Sequence, residues 1–192
     1  LDLSTEKNIN KFFEKKIKFE NLCAIINCLR TKSEKKENFK NFNTNCDIII
    51  KNYYFFINKF INIYKLKDIA IINISSTNVD LISHQPFSYH YTKSVIENLT
   101  KFMALELINR KIRVNNLQLG IIRTNNLNKI INLNKIKKII PLSIIPTHKD
   151  IANTICNCFI ENQSLNGNTI KLDGLVTNID QIYFASQLDK KI

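Results

Sequence analysis

The chain has 192 residues, 44% of them hydrophobic, enough to bury one sizeable core, and no Pro/Gly/Ser-rich linker or repeat divides it. Its net charge of +12 comes from 24 Lys scattered among 28 Asn, the usage AT-rich codons favour, with no compact basic patch or nucleic-acid-binding signature. The longest apolar run is too short for a membrane span and no secretory signal is visible, so a cytoplasmic α/β protein with reduced thiols and neither nucleic-acid nor membrane partners is expected.

Thr5 to Lys18 carries Ile9, Phe12, Phe13 and Ile17 at helical spacing, and a strand follows at Leu22 to Cys28. Thr31 to Thr44 is polar and Lys-rich and reads as a loop. A long helix is expected from Asn45 to about Lys65. Its apolar residues (Tyr53, Tyr54, Phe55, Phe56, Ile57, Phe60, Ile61) exceed one core-facing stripe, the pattern of a helix buried on more than one side. Ile69 to Ser75 reads as a buried strand, a loop carrying Pro86 comes next, and helical spacing runs from about Ser88 to Asn109. Asn125 to Ile140 alternates Asn, Lys, Leu and Ile, and Ile151 to Phe159 reads as a helix with Asp150 or Thr147 as N-cap. Cys23 and Cys28 fall in the expected buried strand, Cys46 near a helix start, and Cys156 and Cys158 two apart on a helix, where side chains diverge. No metal-ligand spacing emerges.

One constellation carries chemistry. Ser76, Tyr89 and Lys93 spell S-x12-Y-x3-K immediately after the buried-strand pattern. With six Tyr and 24 Lys in the chain, a Tyr-x3-Lys pair alone is almost expected by chance, so its meaning depends on the strand, loop and helix that carry it. That context brings three polar side chains to one sheet edge. A tyrosine hydroxyl serves as general acid or base when a neighbouring ammonium favours its phenolate, and Lys93 lies one helical turn from Tyr89 on the same face. Ser76 is then placed to hold a substrate oxygen. The bland alternative is a packing Tyr and a solvated Lys.

From Ile69 to Thr124 the chain resembles the classical short-chain dehydrogenase/reductase family, whose active-site Ser, Tyr and Lys have this spacing. The resemblance implies a Rossmann-like doubly wound parallel sheet. It extends to Cys46-Asp47-Ile48-Ile49-Ile50-Lys51-Asn52, which makes Asn52 the fourth member of a catalytic tetrad, supporting a water-mediated proton relay to the lysine. Ile112-Arg113-Val114-Asn115 and Leu119-Gly120-Ile121-Ile122-Arg123-Thr124 resemble the segment that meets the nicotinamide, with Thr124 hydrogen-bonding there and Ile122 offering backbone groups. Asn166 to Leu175 resembles the last strand and its "DGG" turn. The only three glycines, Gly120, Gly167 and Gly174, all fall in these segments, where positive φ or close approach is expected.

Departures are equally specific. Asn27 matches the family's "NNAG" strand end and the cofactor position it implies, but Cys28 and Leu29 replace Ala-Gly; Leu119 replaces the usual Pro, and Leu175 the second Gly of "DGG". Leu1-Asp2-Leu3 resembles the end of the family's third strand, which makes Asp2 an adenine contact. By that alignment two strands, their helices and the Gly-rich pyrophosphate loop, roughly 50 to 60 residues, are absent. Residues 1–192 then form a single unit, the catalytic portion of such a domain. Its first strand becomes an open edge, and poor solubility and weak dinucleotide binding are expected.

The resemblance implies an oxidoreductase using NAD or NADP, with NADPH favoured for a reductase. Its substrate would be a small or carrier-bound carbonyl compound: an acyl-carrier thioester, a pteridine or a sugar. The helix at 45–65 and the Tyr89 helix would pack against a second subunit in a homodimer or homotetramer. The contrasting expectation is a non-catalytic remnant that keeps the fold as an oligomerisation partner.

Overall fold

The computed structural model describes residues 3–15, 17–19, 21–30, 37–124, 127 and 132–188. Four parallel strands, β1 (Ala24–Asn27), β2 (Ala70–Ser76), β3 (Arg113–Leu119) and β4 (Thr169–Leu172), form a sheet in the order β1-β2-β3-β4. Each crossover carries helix, the connection parallel neighbours require. α1 (Glu6–Phe13) precedes β1; α2 (Phe39–Cys46), a π-helical stretch Asp47–Asn52 and α3 (Tyr53–Ile63) join β1 to β2. α4 (Phe87–Glu106) joins β2 to β3, and α5 (Leu133–Ile139), α6 (His148–Thr154) and a second π-helical stretch Ile155–Glu161 precede β4. α7 (Gln181–Leu188) follows.

Each sheet face has its own core. Ile71 and Val114 pack with Tyr53, Ile57, Ile61, Ile96 and Met103 from α3 and α4, while Ala70, Ile72 and Leu117 pack with Ile155 and Phe159 from the other side. Phe159 is fully buried, a burial that contributes about 1.5–3 kcal/mol for a side chain of this size. This covered, two-sided arrangement explains why β2 reads as an almost continuous apolar run.

β1 and β2 carry the same tetrapeptide, Ala-Ile-Ile-Asn, and pair residue for residue, Ala24 with Ala70 through Asn27 with Asn73. Asn73 is in turn opposite Asn116, and Asn116 opposite Thr169, so one polar row crosses all four strands. Most of its groups are paired along the α3/α4 face, the exception being Asn116 Oδ1, which is buried without a hydrogen-bond partner among the described residues. Asn27 Nδ2 (3.0 Å) and the Tyr53 hydroxyl (2.7 Å) both donate to Asn73 Oδ1, while Asn73 Nδ2 donates to Thr100 Oγ1 at 2.9 Å. Burial keeps the Tyr53 hydroxyl protonated well above its ordinary range.

Several expectations require correction. The polar segment expected as a loop from Thr31 to Thr44 contains α2 from Phe39 on; residues 31–36 lie outside the described residues. Asn38 caps α2 by accepting from Asn41 N at 2.9 Å, and Phe42 stacks on Phe87 with ring centroids 6.1 Å apart, contacts that outweigh the segment's polarity. The single helix expected over 45–65 is interrupted by the π-helical stretch, and its all-round burial is incomplete: Phe55 is 61% exposed. Cys23 and Cys28 flank β1 and are exposed, because the strand is shorter than its apolar run. Thr147, rather than Asp150, is the cap of α6, and the two form a reciprocal capping box. Among the described residues β1 pairs only with β2, so it is a sheet edge. No helix among them is long and apolar enough to cross a membrane.

Candidate active site

Ser76 and Tyr89 meet at the C-terminal edge of the sheet, where ligands bind in open parallel α/β folds. β2 ends at Ser76, whose Oγ accepts from Asn78 N at 3.3 Å and caps the short turn Thr77–Val79. Pro86 then opens α4 without a side-chain cap of its own. Glu37 fills that role from a distant segment, both carboxylate oxygens accepting from Ser88 N at 3.1 and 3.3 Å. Tyr89 therefore stands in a first helical turn that is fixed in place, and Lys93 follows one turn later.

Lys93 is 6% exposed. Its ammonium donates to Ile74 O at 2.8 Å and Leu29 O at 3.3 Å, tying α4 to the ends of β2 and β1, and lies 5.9 Å from the Tyr89 ring centroid. Burial pushes its pKa down to about 8, with Cys28 opposing and Arg30 assisting. The Arg30 guanidinium lies 5.8 Å from the same ring centroid.

Ser76 and Tyr89 line a cavity of about 400 Å³ with Arg30, Gly120, Gln85 and an apolar wall that includes Leu81, Ile82 and Ile121. His90, next to Tyr89 on α4, holds the preceding loop: its Nδ1 donates to Asn78 O at 2.8 Å and its Nε2 accepts from Ser83 N at 3.5 Å. These contacts pin the loop between β2 and α4 beside the cavity.

The remaining expected residues fall elsewhere. Asn52 is buried and donates to Leu3 O at 2.6 Å beside a separate cavity of about 780 Å³ under α1; no hydrogen bond joins it to Lys93 among the described residues. The π-helical stretch turns it toward the segment preceding α1. Asn27 spends its amide on Asn73 and on accepting from Leu29 N at 3.1 Å, which fixes the turn leading to Arg30. Thr124 Oγ1 accepts from Leu127 N at 3.1 Å, and neither it nor Ile122 lines the cavity, whereas Gly120 and Ile121 do. Asp2 lies outside the described residues. Arg30 is the residue the sequence did not signal; its place follows from the fold of the β1 turn.

A Cβ at Gly120 would stand 2.9 Å from Asp173 Cα, so glycine is needed for β3 and β4 to converge under the cavity. Gly174 has φ +66 with Ile140 against it, whereas Leu175, where the resemblance expects a glycine, adopts φ 79 with a side chain. No group of three His, Cys, Asp or Glu side chains suited to a metal ion occurs among the described residues.

Residues 1–177 match the family profile described as enoyl-(acyl carrier protein) reductase. The structure of ElxO with NADP bound is 26% identical with a TM-score of 0.77, the alignment covering 93% of this chain and 77% of that one. Alike in fold are an apo SCOR enzyme from Clostridium thermocellum (22% identity, TM-score 0.79, covering 94% and 73%) and acetoin dehydrogenase from Enterobacter cloacae (21%, 0.74, 94% and 75%). No curated protein matches the chain. With a profile match across most of its length and the parallel sheet in common, the chain belongs to the short-chain dehydrogenase/reductase family.

Proposed function

We propose that the chain acts in NAD(P)-dependent interconversion of a carbonyl compound and an alcohol, with Tyr89 moving the proton. The observation that carries this reading is that Ser76 and Tyr89 line one cavity while the Lys93 ammonium lies buried 5.9 Å from the tyrosine ring. A bound nicotinamide would exchange a hydride with the carbonyl carbon. Ser76 Oγ donates a hydrogen bond to the substrate oxygen, and the Tyr89 hydroxyl gives that oxygen its proton in reduction and recovers it in oxidation. Lys93 stabilises the phenolate by charge, and with a pKa of about 8 it is still mostly cationic at neutral pH.

The residues present fit the nicotinamide end of such a cofactor. An ammonium has three donors, and the two carbonyls bound by Lys93 leave one for a ribose hydroxyl. Gln85 Oε1, in the cavity wall, is buried and has no hydrogen-bond partner among the described residues, so it can accept from an amide. The three glycines lie at 120, 167 and 174, so none supplies a glycine-rich turn for the pyrophosphate. NADPH is the preferred form for the reductive direction. The exposed aromatic and aliphatic groups Phe55, Phe102 and Leu105 on the outer faces of α3 and α4 fit a second copy of the chain, making a homodimer.

A second reading, a retained fold serving as an oligomerisation partner, draws on the same exposed Phe55, Phe102 and Leu105. Tyr89→Phe separates the two. For an enzyme, turnover of a carbonyl probe followed by nicotinamide absorbance falls at least about 100-fold while cofactor fluorescence titrations change little. Equal turnover in the variant removes Tyr89 from the mechanism; absence of turnover in both chains favours the oligomerisation partner.

A further inference from the structure

We propose that Arg30 determines substrate choice by holding an anionic group, a carboxylate or phosphate, of the carbonyl compound bound next to Ser76 and Tyr89. The role assigned to the neighbouring carbonyl rests on the function proposed above; the anion site stands on its own geometry.

The first support is charge. Among the described residues lining the cavity there is no Asp or Glu, and Arg30 is the one permanently charged group. The Lys93 ammonium, 5.9 Å from the Tyr89 ring centroid, adds positive potential at the same end. No carboxylate pairs with Arg30 among the described residues; the ion pairs found are Lys51 with Asp47 and Lys171 with Asp80. The cavity thus has a basic end without internal compensation.

Positioning is the second support. Asn27 Oδ1 accepts from Leu29 N and Lys93 donates to Leu29 O, so the backbone immediately before Arg30 is held on both its polar groups. The guanidinium then rests against the Tyr89 ring, an attraction that uses the cation and not its N–H donors. Its planar fork therefore keeps donors for a carboxylate or phosphate, which it recognises in two-point fashion. Because the Arg30 guanidinium lies 5.8 Å from the ring centroid of the proton-transferring tyrosine, an anion it holds would sit only a few bonds from the carbonyl.

Size and polarity define the rest of the ligand. About 400 Å³ lies at the small end of ligand pockets, and Leu81, Ile82, Ile121, Ile140 and Val176 give the wall an apolar character. A short oxo acid, or a small oxo compound bearing phosphate, with an apolar body matches this combination. A neutral ketone fills the apolar part and leaves the guanidinium without its partner.

The test is a ligand-observed NMR titration of the full chain with 2-oxobutyrate, with neutral butanone, and with ADP-ribose as a source of pyrophosphate, using wild type, Arg30→Gln, Arg30→Lys and Tyr89→Phe. Wild type is expected to prefer 2-oxobutyrate over butanone about tenfold, as one charge-assisted contact gives. Arg30→Gln reduces that preference to below about twofold, Arg30→Lys restores part of it, and Tyr89→Phe leaves it in place. Matching far-ultraviolet circular dichroism and melting curves confirm that the variants fold. Retention of the oxo-acid preference in Arg30→Gln, no binding of 2-oxobutyrate by wild type, or an Arg30 dependence confined to ADP-ribose would each overturn the proposal. If the preference follows Arg30 while no chain turns over a carbonyl, the anion site stands and the proposed reaction fails.

Discussion

Lys93 offers the sharpest energetic prediction, because a buried cation costs stability that a pH titration can recover. Its ordinary pKa of 10.5 falls to about 8 in the folded chain. Below about pH 8 the lysine is protonated in both states and the full penalty of burying the charge is present. Between about pH 8 and 10.5 the folded form is neutral while the unfolded form still binds the proton, so stability rises with pH. At 1.36 kcal/mol per pKa unit the total rise is about 3 kcal/mol. Lys93→Met removes the titration while retaining an unbranched side chain of similar length. Cys28→Ser is built into both chains, because its thiol titrates within the field of Lys93. Burial raises the pKa of Tyr53 and Cys46, so both reduce stability as pH rises, but they do so equally in the two chains and cancel in the difference. Urea unfolding followed by circular dichroism, at steps from neutral pH to 10.5, gives that difference directly. A wild-type-minus-variant difference that stays flat to within about 0.5 kcal/mol would refute a desolvated ammonium beside Tyr89.

Two backbone positions give further tests. Gly120→Ala forces a Cβ to 2.9 Å from Asp173 Cα and should cost about 1–3 kcal/mol in urea unfolding; an unchanged midpoint would show that β3 and β4 do not converge as described. Leu175→Gly should raise the melting temperature, by the equivalent of about 1 kcal/mol, because φ 79 is strained for leucine and its side chain is 52% exposed; a lower melting temperature would mean that its apolar contacts matter more than its backbone.

The apolar periodicity of Ile69 to Ser75, the polar triad that follows and the confinement of glycine to three places were legible because each depends on local spacing. The parallel sheet was expected from the family resemblance these features carry, and Gly120 and Gly174 stand where backbone approach or positive φ demands them. Asn73 and Asn116 were read only as part of a compositional bias, yet with Asn27 they line up as a polar row through the core. The repeated Ala-Ile-Ile-Asn was the available signal, but it acquires meaning only when the two copies pair in register. α2 was concealed for a related reason: its polar residues depend on distant partners, Asn45 Nδ2 donating to Ser88 Oγ at 2.8 Å and Phe42 packing on Phe87.

The chain by itself determined which side chains could carry proton transfer, because Ser76, Tyr89 and Lys93 sit on one strand, loop and helix and reach the same edge by short-range geometry. Tertiary structure decided their surroundings. Packing buried Lys93 and lowered its pKa, placed Arg30 from the β1 turn beside Tyr89, and gave the Asn52 amide to Leu3 O. Those outcomes depend on desolvation and on contacts between segments far apart in the chain, which residue spacing does not encode.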